Sequence, residues 1–326
     1  MNQPELPESV TFCGRRFSRS ELELMRQIAD QFAGLGRTEM ARTLCELLEW
    51  KRPSGGLKNY ECRQLLERPA EQGWLRLPEV RPLGPRGPRR VRLSAASAEQ
   101  PELTGTAGQY EPLRLIVVEG ASGDSRLWME LIQRHHYLGY RVPVGAQLRY
   151  LVRSGRTADQ ALACLQWTSA AWKMAARDRW IGWSHEQRAR SLPYIVNNSR
   201  FLILPWVRIR GLASKILAHC ARQLPADWER RYGYRPLLLE TLVDGQRLAG
   251  TCYRAANWIL LGQTQVRGRM DRYHQADGST RKLVLVYTLC RDCSSGSAKP
   301  SRPASLKPRP IWLDKASGGG KQLPQR

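Results

Sequence analysis

The sequence predicts an α+β chain in two parts: a small three-helix segment closed by a hairpin, then a larger mixed α/β domain. Three observations carry this expectation. Apolar residues recur at helical spacing in three successive stretches before residue 70. From residue 113 onward, strand-like apolar runs alternate with helix-like ones. Between the two parts lies a polar, aperiodic stretch of small residues, and a similar one ends the chain. The expected boundaries are residues 1–93 for the first domain, 94–112 for a linker, 113–292 for the second domain and 293–326 for a disordered basic tail.

The first helix is expected from Ser18 to Phe32, capped by Ser18 or Ser20, with Leu22, Leu24, Met25, Ile28 and Phe32 as its apolar stripe. Gly34 and Gly36 break it. Thr38 can cap a second helix that turns Met40, Ala41, Leu44, Leu47 and Leu48 inward. After a turn at Pro53–Gly56, a third helix runs from Leu57 to Arg68, and Pro69 bends or ends it. Trp74–Leu77 and Arg89–Leu93 read as strands flanking a loop rich in Pro, Gly and Arg. Three helices followed by a hairpin is the order of a winged helix-turn-helix. In such folds one helix enters the major groove. The third helix is the expected reader, through Lys58, Asn59, Arg63 and Gln64. The loop with Arg81, Arg86, Arg89 and Arg90 is the expected wing, reaching phosphate or the minor groove. A winged helix used for protein contacts is the alternative.

Charge favours the first of these. Lys and Arg total 52 against 29 acidic residues, a formal net charge of +23. Such an excess points to a polyanionic partner, double-stranded DNA first. A membrane surface fits less well, because no basic amphipathic helix stands apart from the folded pattern. A hydrophobic content of 42% excludes a chain disordered throughout. No apolar run reaches the roughly 18 residues of a membrane span, and the N-terminus lacks a signal-peptide pattern, so a cytoplasmic location is expected. Of eight cysteines only Cys290 and Cys293 are closely spaced, whereas a structural zinc site usually needs two such pairs. No metal is expected.

In the second domain, strands are expected at Leu113–Val118, Gln147–Val152, Ala161–Ala171, Phe201–Pro205, Leu237–Val243, Ile259–Gly262 and Lys282–Thr288. Helices are expected at Ser125–His135, Ser184–Leu192, after Gly211, and at Gly250–Asn257. The segment after the fourth strand reads Arg208-Ile209-Arg210-Gly211-Leu212-Ala213. Amide N–H groups at a helix start lack partners and carry partial positive charge, so they suit a pyrophosphate. Arg208 and Arg210 add charge-assisted bonds.

This element order and this motif resemble the GCN5-related N-acetyltransferase (GNAT) family, whose cofactor loop carries Gln/Arg-x-x-Gly-x-Gly/Ala. The resemblance implies acyl-coenzyme A as cofactor, held by Arg208, Arg210, Gly211, Leu212 and Ala213. It also aligns Tyr253 and Asn257-Trp258 with the family's Tyr-x-x-x-Gly-Phe, with Asn in place of Gly. By that alignment Tyr253 protonates the leaving thiolate; the other reading of Tyr253 is an ordinary core tyrosine. The acceptor side is expected around "QRHHYLGYRVPVG", where His135 or His136 supplies a general base or is a satisfied structural histidine. Glu240 is either a base facing the cleft or an ion-pair partner of an arginine.

Several longer segments, among them "HHYLGYRVPVGAQLRYLV" and "ETLVDGQRLAGTCYRAANWILLGQTQVRGR", are similar to the DruA-like family. That family takes its name from a component of the bacterial Druantia anti-phage system, and relatives occur in mobile elements. The resemblance implies a DNA-binding protein of antiviral defence or a mobile element, with other defence subunits as candidate partners. Its GNAT-like domain transfers an acyl group to a nucleobase or amine, or else is a degenerate fold in a non-catalytic adaptor. Within "GQTQVRGRMDRYH", Arg267 and Arg269 are expected to grip a nucleic-acid backbone; a solvated hairpin is the other reading.

Overall fold

The computed structural model describes residues 4–54, 56–78, 91–141, 143, 145–157, 160–170, 174–264, 269–270, 276–277 and 281–289. In chain order its elements begin with β1 (Ser9–Phe12), β2 (Arg15–Ser18), α1 (Arg19–Gln31), α2 (Arg37–Leu47), α3 (Asn59–Glu71), β3 (Leu103–Thr106) and β4 (Leu113–Val117). Next come α4 (Gly123–His135), β5 (Gln147–Ser154), β6 (Ala161–Ser169), α5 (Ala175–Ile181), α6 (His185–Ser191), β7 (Ile195–Ile203), β8 (Val207–Arg210) and α7 (Leu212–Tyr232). Last are β9 (Leu238–Asp244), α8 (Thr251–Ala255), β10 (Ile259–Gln263), β11 (Arg269–Met270), β12 (Ala276–Asp277) and β13 (Lys282–Thr288). The described residues divide into two compact units, one running to Ser169 and resuming at Asn198–Arg235, the other comprising Ala170–Asn197 and the part from Pro236 onward. The N-terminal helices therefore share a unit with the strands that follow residue 113, which differs from the expected separate domain 1–93.

In the first unit, β1 and β2 form an antiparallel hairpin ahead of the helices. Ser18 ends β2 and caps α1 reciprocally: its hydroxyl accepts from the Glu21 amide at 3.3 Å, and Glu21 Oε2 accepts from the Ser18 amide at 2.9 Å. A cap of this kind contributes about 1 kcal/mol. α1 buries Leu22, Met25, Ile28 and Ala29; α2 buries Met40, Ala41, Leu44 and Cys45; α3 buries Cys62, Leu65, Leu66 and Pro69. Phe17 meets Trp50 edge-on at 5.0 Å, which fixes the hairpin to this core.

Three expectations need correction here. The hairpin precedes the helices, and neither Trp74–Leu77 nor Val91–Leu93 forms a strand. Leu75 is instead buried, so its apolar character serves packing rather than pairing. Arg81, Arg86, Arg89 and Arg90 lie outside the described residues. Pro69 does not end its helix, because its ring is buried and α3 runs on to Glu71. The stretch 94–112 is not a bare linker. It carries two 3-10 turns and β3, and β3 pairs in parallel with β8 from Leu103↔Val207 to Thr106↔Arg210. Glu130 Oε2 accepts from the Ser94 amide and hydroxyl at 2.7 and 2.6 Å, which ties the stretch to α4.

The sheet of the first unit runs in the order β7, β6, β5, β4, with β4–β5 and β5–β6 antiparallel. β6 is buried along its length save its last residue, the mark of a strand covered on both faces. α4 contributes Trp128, Leu131 and Ile132 to the core, and α7 contributes Ile216, Leu217, Cys220, Leu224, Trp228 and Tyr232. β7 begins at Ile195, six residues before the expected start at Phe201, so it includes Asn197 and Asn198, and Asn198 donates to the Gln166 carbonyl at 3.2 Å.

In the second unit β10, β13 and β9 follow one another in antiparallel pairs. Ile181, Leu192, Ile195, Leu238 and Val286 form its core, with Trp180, Trp183 and Leu237 packed against it. No helix among the described residues is long and apolar enough to cross a membrane.

Candidate functional site

The segment singled out by the sequence lies at the start of the longest helix. Along β8 the side chains alternate: Val207 and Ile209 are buried, and Arg208 and Arg210 are exposed. Gly211 follows at φ +77°, the left-handed region, and α7 begins at Leu212. Only glycine takes that φ without strain. A Cβ built on Gly211 meets nothing within 4 Å, so the position is open rather than crowded. The glycine is required by the backbone angle, not by a close approach. Leu212 is buried and holds the turn down. No side chain caps α7. The Gly211 carbonyl accepts from the Lys215 amide at 3.2 Å and the Ser214 hydroxyl at 3.1 Å. The N–H groups of the first helical turn have no intrahelical acceptor, by helix geometry alone. The result is an uncapped, exposed helix start flanked by two guanidinium groups. Arg208 Nε also sits 3.3 Å from Glu102, an exposed and therefore weak pair.

One turn further along α7, Lys215 contacts Glu111 at 2.7 Å, and His219 Nε2 lies 3.7 Å from the same oxygen. The Lys215 ammonium, first, and the Leu113 amide hold the Glu111 carboxyl below the usual carboxylate range.

The residues expected to do chemistry are differently placed. His135 Nε2 is 3.0 Å from the Ser97 carbonyl oxygen, and its ring meets Trp206 edge-on at 5.2 Å. It is a satisfied structural histidine. His136 Nδ1 accepts from the Leu138 amide at 3.2 Å. Burial, aided by the nearby Arg200 guanidinium, pushes its imidazole down to about 4. A ring that holds a proton so poorly and spends one lone pair on the backbone makes a weak general base. Arg200, in turn, donates to the Gly139 and Ser199 carbonyls at 3.3 and 2.7 Å.

In the second unit, Glu240 is fully buried and accepts from Arg177 Nη1 at 2.8 Å; Arg177 is fully buried as well. Glu240 is thus the ion-pair partner and not a base facing solvent. Asp178 completes the cluster, accepting from Arg177 Nε and Nη2 at 3.0 and 2.9 Å and from Trp183 Nε1 at 3.2 Å. Sequence reading missed this cluster, because a fully buried arginine within "AARDRWI" looks like solvent-facing charge. Tyr253 is buried in α8; its hydroxyl lies 3.5 Å from Thr241 Oγ1, and its ring meets Trp258 edge-on at 5.1 Å. Asn257, which stands in place of the family's Gly, adopts φ +63°, a left-handed conformation that Asn tolerates.

Of the expected DNA-reading residues, Arg63 and Gln64 are exposed on α3, and Asn59 is half-buried at its first position. Lys58 precedes the helix, with its ammonium 5.7 Å from the Trp50 ring centre. Arg269 lies on β11, which pairs with β12; Arg267 lies outside the described residues. Among the described residues no group of three or more His, Cys, Asp or Glu gathers as a metal site.

Taken together, these features define a mixed α/β protein with an uncapped helix start beside two exposed arginines and a strongly basic sequence. The chain belongs to the family described as Druantia protein DruA, whose profile matches residues 91–283. Comparison with curated proteins gives no match. Among solved structures, the chain is similar to spermidine N-acetyltransferase from Vibrio cholerae in complex with CoA and spermine. That likeness has 10% identity and a TM-score of 0.34, and covers 54% of this chain and 95% of that one. A putative acetyltransferase from Salmonella typhimurium with its cofactor acetyl-CoA is similar at 13% identity and a TM-score of 0.27, over 45% of this chain and 68% of that one. A putative arylalkylamine N-acetyltransferase from the yellow fever mosquito is similar at 14% identity and a TM-score of 0.28, over 44% and 64%.

Proposed function

We propose that this chain is a DNA-binding protein of anti-phage defence whose mixed α/β part is GNAT-like and holds acyl-coenzyme A by its diphosphate at residues 208–213. The observation that carries the reading is Gly211, left-handed at an uncapped helix start, with open space before it and Arg208 and Arg210 exposed beside it. The order of elements from β4 to β13 supports it: strand, helix, two strands, strand, long helix, strand, short helix, two strands, with α5, α6, β8 and the β11–β12 hairpin as additions. The diphosphate of coenzyme A suits amide donors and guanidinium groups. Acyl-coenzyme A brings an activated acyl thioester, and a nucleobase or amine is the acceptor class. The exposed Arg63 and Gln64 of α3 and the net charge of +23 support a DNA partner.

A second reading, a non-catalytic adaptor, is favoured by one specific observation. The four side chains expected to act as acid or base are all engaged or suppressed: His135 on Ser97, His136 with its imidazole near 4, Glu240 on Arg177, and Tyr253 buried beside Thr241.

Calorimetric titration of acetyl-coenzyme A, paired with transfer of a labelled acetyl group to DNA or polyamines, separates the two. The enzyme reading expects binding and transfer, both lost in Gly211→Glu. Binding without transfer leaves the adaptor. No binding at all refutes the diphosphate site.

A further inference from the structure

Between α4 and β5 of the first unit, the chain turns through His136, Tyr137, Leu138, Gly139 and Tyr140. His136 and Tyr137 stack face to face, with ring centres 4.8 Å apart and planes 21° from parallel. Tyr137 is 47% exposed and Leu138 43%, two large apolar side chains side by side on the surface. The turn is locally fixed: Gly139 N–H donates to the His136 carbonyl at 2.7 Å, and Tyr140 N–H donates to Gln133 Oε1 at 3.1 Å. An exposed aromatic on a fixed turn makes a platform rather than a loose loop.

Basic groups surround this platform. Arg200 reaches it from β7, bonding the Gly139 carbonyl, and Arg141 follows it directly in the chain. Arg149 on β5 lies over the Trp128 ring at 5.4 Å, and Trp128 meets Tyr140 edge-on at 6.2 Å. Among the described residues, none of these three arginines has a carboxylate within the 4.0 Å of an ion pair. Burial pushes the Arg200 guanidinium down; the neighbouring Tyr137 opposes that shift, and Arg141 adds a smaller repulsion. Some arginines of the same unit do have acidic partners, as Arg153 has Asp124 and Arg231 has Glu119. Positive charge without a carboxylate partner, beside an exposed aromatic ring, favours a ligand that brings both anionic groups and flat apolar faces.

We infer that this turn is a binding platform for single-stranded DNA, on which an unpaired base stacks against Tyr137 while Arg141 and Arg200 hold the adjoining phosphates. A base within a duplex presents only its edge, so an unpaired or everted base is the species that fits. The stacked His136 supports Tyr137 from behind, and its uncharged imidazole lets the two rings lie flat on one another without adding to the repulsion from Arg200. The platform is separate from α3 and rests on the DNA reading above only in its choice of polyanion. It needs neither the coenzyme A site nor the reader helix.

Fluorescence anisotropy with two labelled probes, a single-stranded oligonucleotide of about 16 nucleotides and the matching duplex, tests this. Base–aromatic stacking is worth about 1–3 kcal/mol per base, so Tyr137→Ala is expected to weaken single-strand binding roughly 5- to 150-fold. Tyr137→Phe keeps the ring and should bind within about twofold of wild type, because stacking needs only a π-face. Arg141→Ala should lower the salt slope by about 0.7, the single-strand value for one phosphate contact. Duplex binding should be unchanged in Tyr137→Ala and weakened in Arg63→Ala. A Tyr137→Ala protein that binds the single strand like wild type overturns the platform, as does a Tyr137→Phe loss equal to that of Ala. Intact duplex binding in Arg63→Ala alone removes the reader helix and leaves the platform standing.

Discussion

Replacing Arg177 with Met should be among the most damaging single changes in the second unit. Arg177 is fully buried, and its guanidinium serves two carboxylates, Glu240 at 2.8 Å and Asp178 at 2.9 Å. Met fills a similar volume and leaves little cavity, so the loss is mostly electrostatic. Asp178 keeps other donors, since Trp183 Nε1 and the Met174 amide both lie 3.2 Å away. Glu240 loses its Arg177 partner while remaining buried in the middle of β9. Breaking a buried pair from one side costs about 3–5 kcal/mol, because the surviving charge is left in a poorly polarisable interior. Removing both charges in Arg177→Met/Glu240→Leu eliminates that penalty, so the double variant should recover most of the loss. Urea unfolding followed by tryptophan fluorescence measures all three proteins. A single variant within about 1 kcal/mol of wild type refutes the argument, and so does a double variant no more stable than the single.

Other consequences can be measured in the same preparations. With its folded value near 4 against an ordinary 6.5, His136 stays neutral in the folded chain while the unfolded chain takes up a proton. Stability should therefore be complete above about pH 6.5 and fall as pH drops toward 4, and His136→Gln should flatten that dependence. An imidazole NMR titration centred near 6.5 contradicts it. Gly211→Ala meets no atoms but strains the left-handed backbone, so unfolding should show a loss of about 1–2 kcal/mol; an unchanged midpoint contradicts the φ assigned there. Arg63→Ala should weaken duplex DNA binding and reduce the salt slope by about 0.9, and an unchanged slope removes α3 from the interface.

Much of the second part of the chain was legible because its signals are local. α4, β5, β6, α7, β9 and β13 fall close to where periodicity and apolar runs predict them. The turn at Gly211 was legible because glycine between a short strand and a helix has few other uses. What escaped was non-local or disguised. β3 pairs with β8 about a hundred residues away, and nothing in "LTGT" announces a partner at that distance. β1 and β2 are only four residues each, and their Cys13-Gly14 turn places Cys13 at φ +50°, a conformation that cysteine does not advertise. β7 starts in "IVNNSR", whose polar residues read as loop until Asn198 is seen bonding the neighbouring strand. α5 was hidden by Arg177, a charge in the core. The candidate acids and bases were picked by residue type and position, and side-chain roles depend on partners that sequence spacing does not reveal.

The most direct measurement is a backbone amide NMR titration with coenzyme A, read at Leu212, Ala213 and Ser214. The account expects saturable shifts concentrated at these amides in wild type and absent in Gly211→Glu. Amides there that stay unmoved at saturating coenzyme A, or shifts gathered elsewhere in the chain, contradict it.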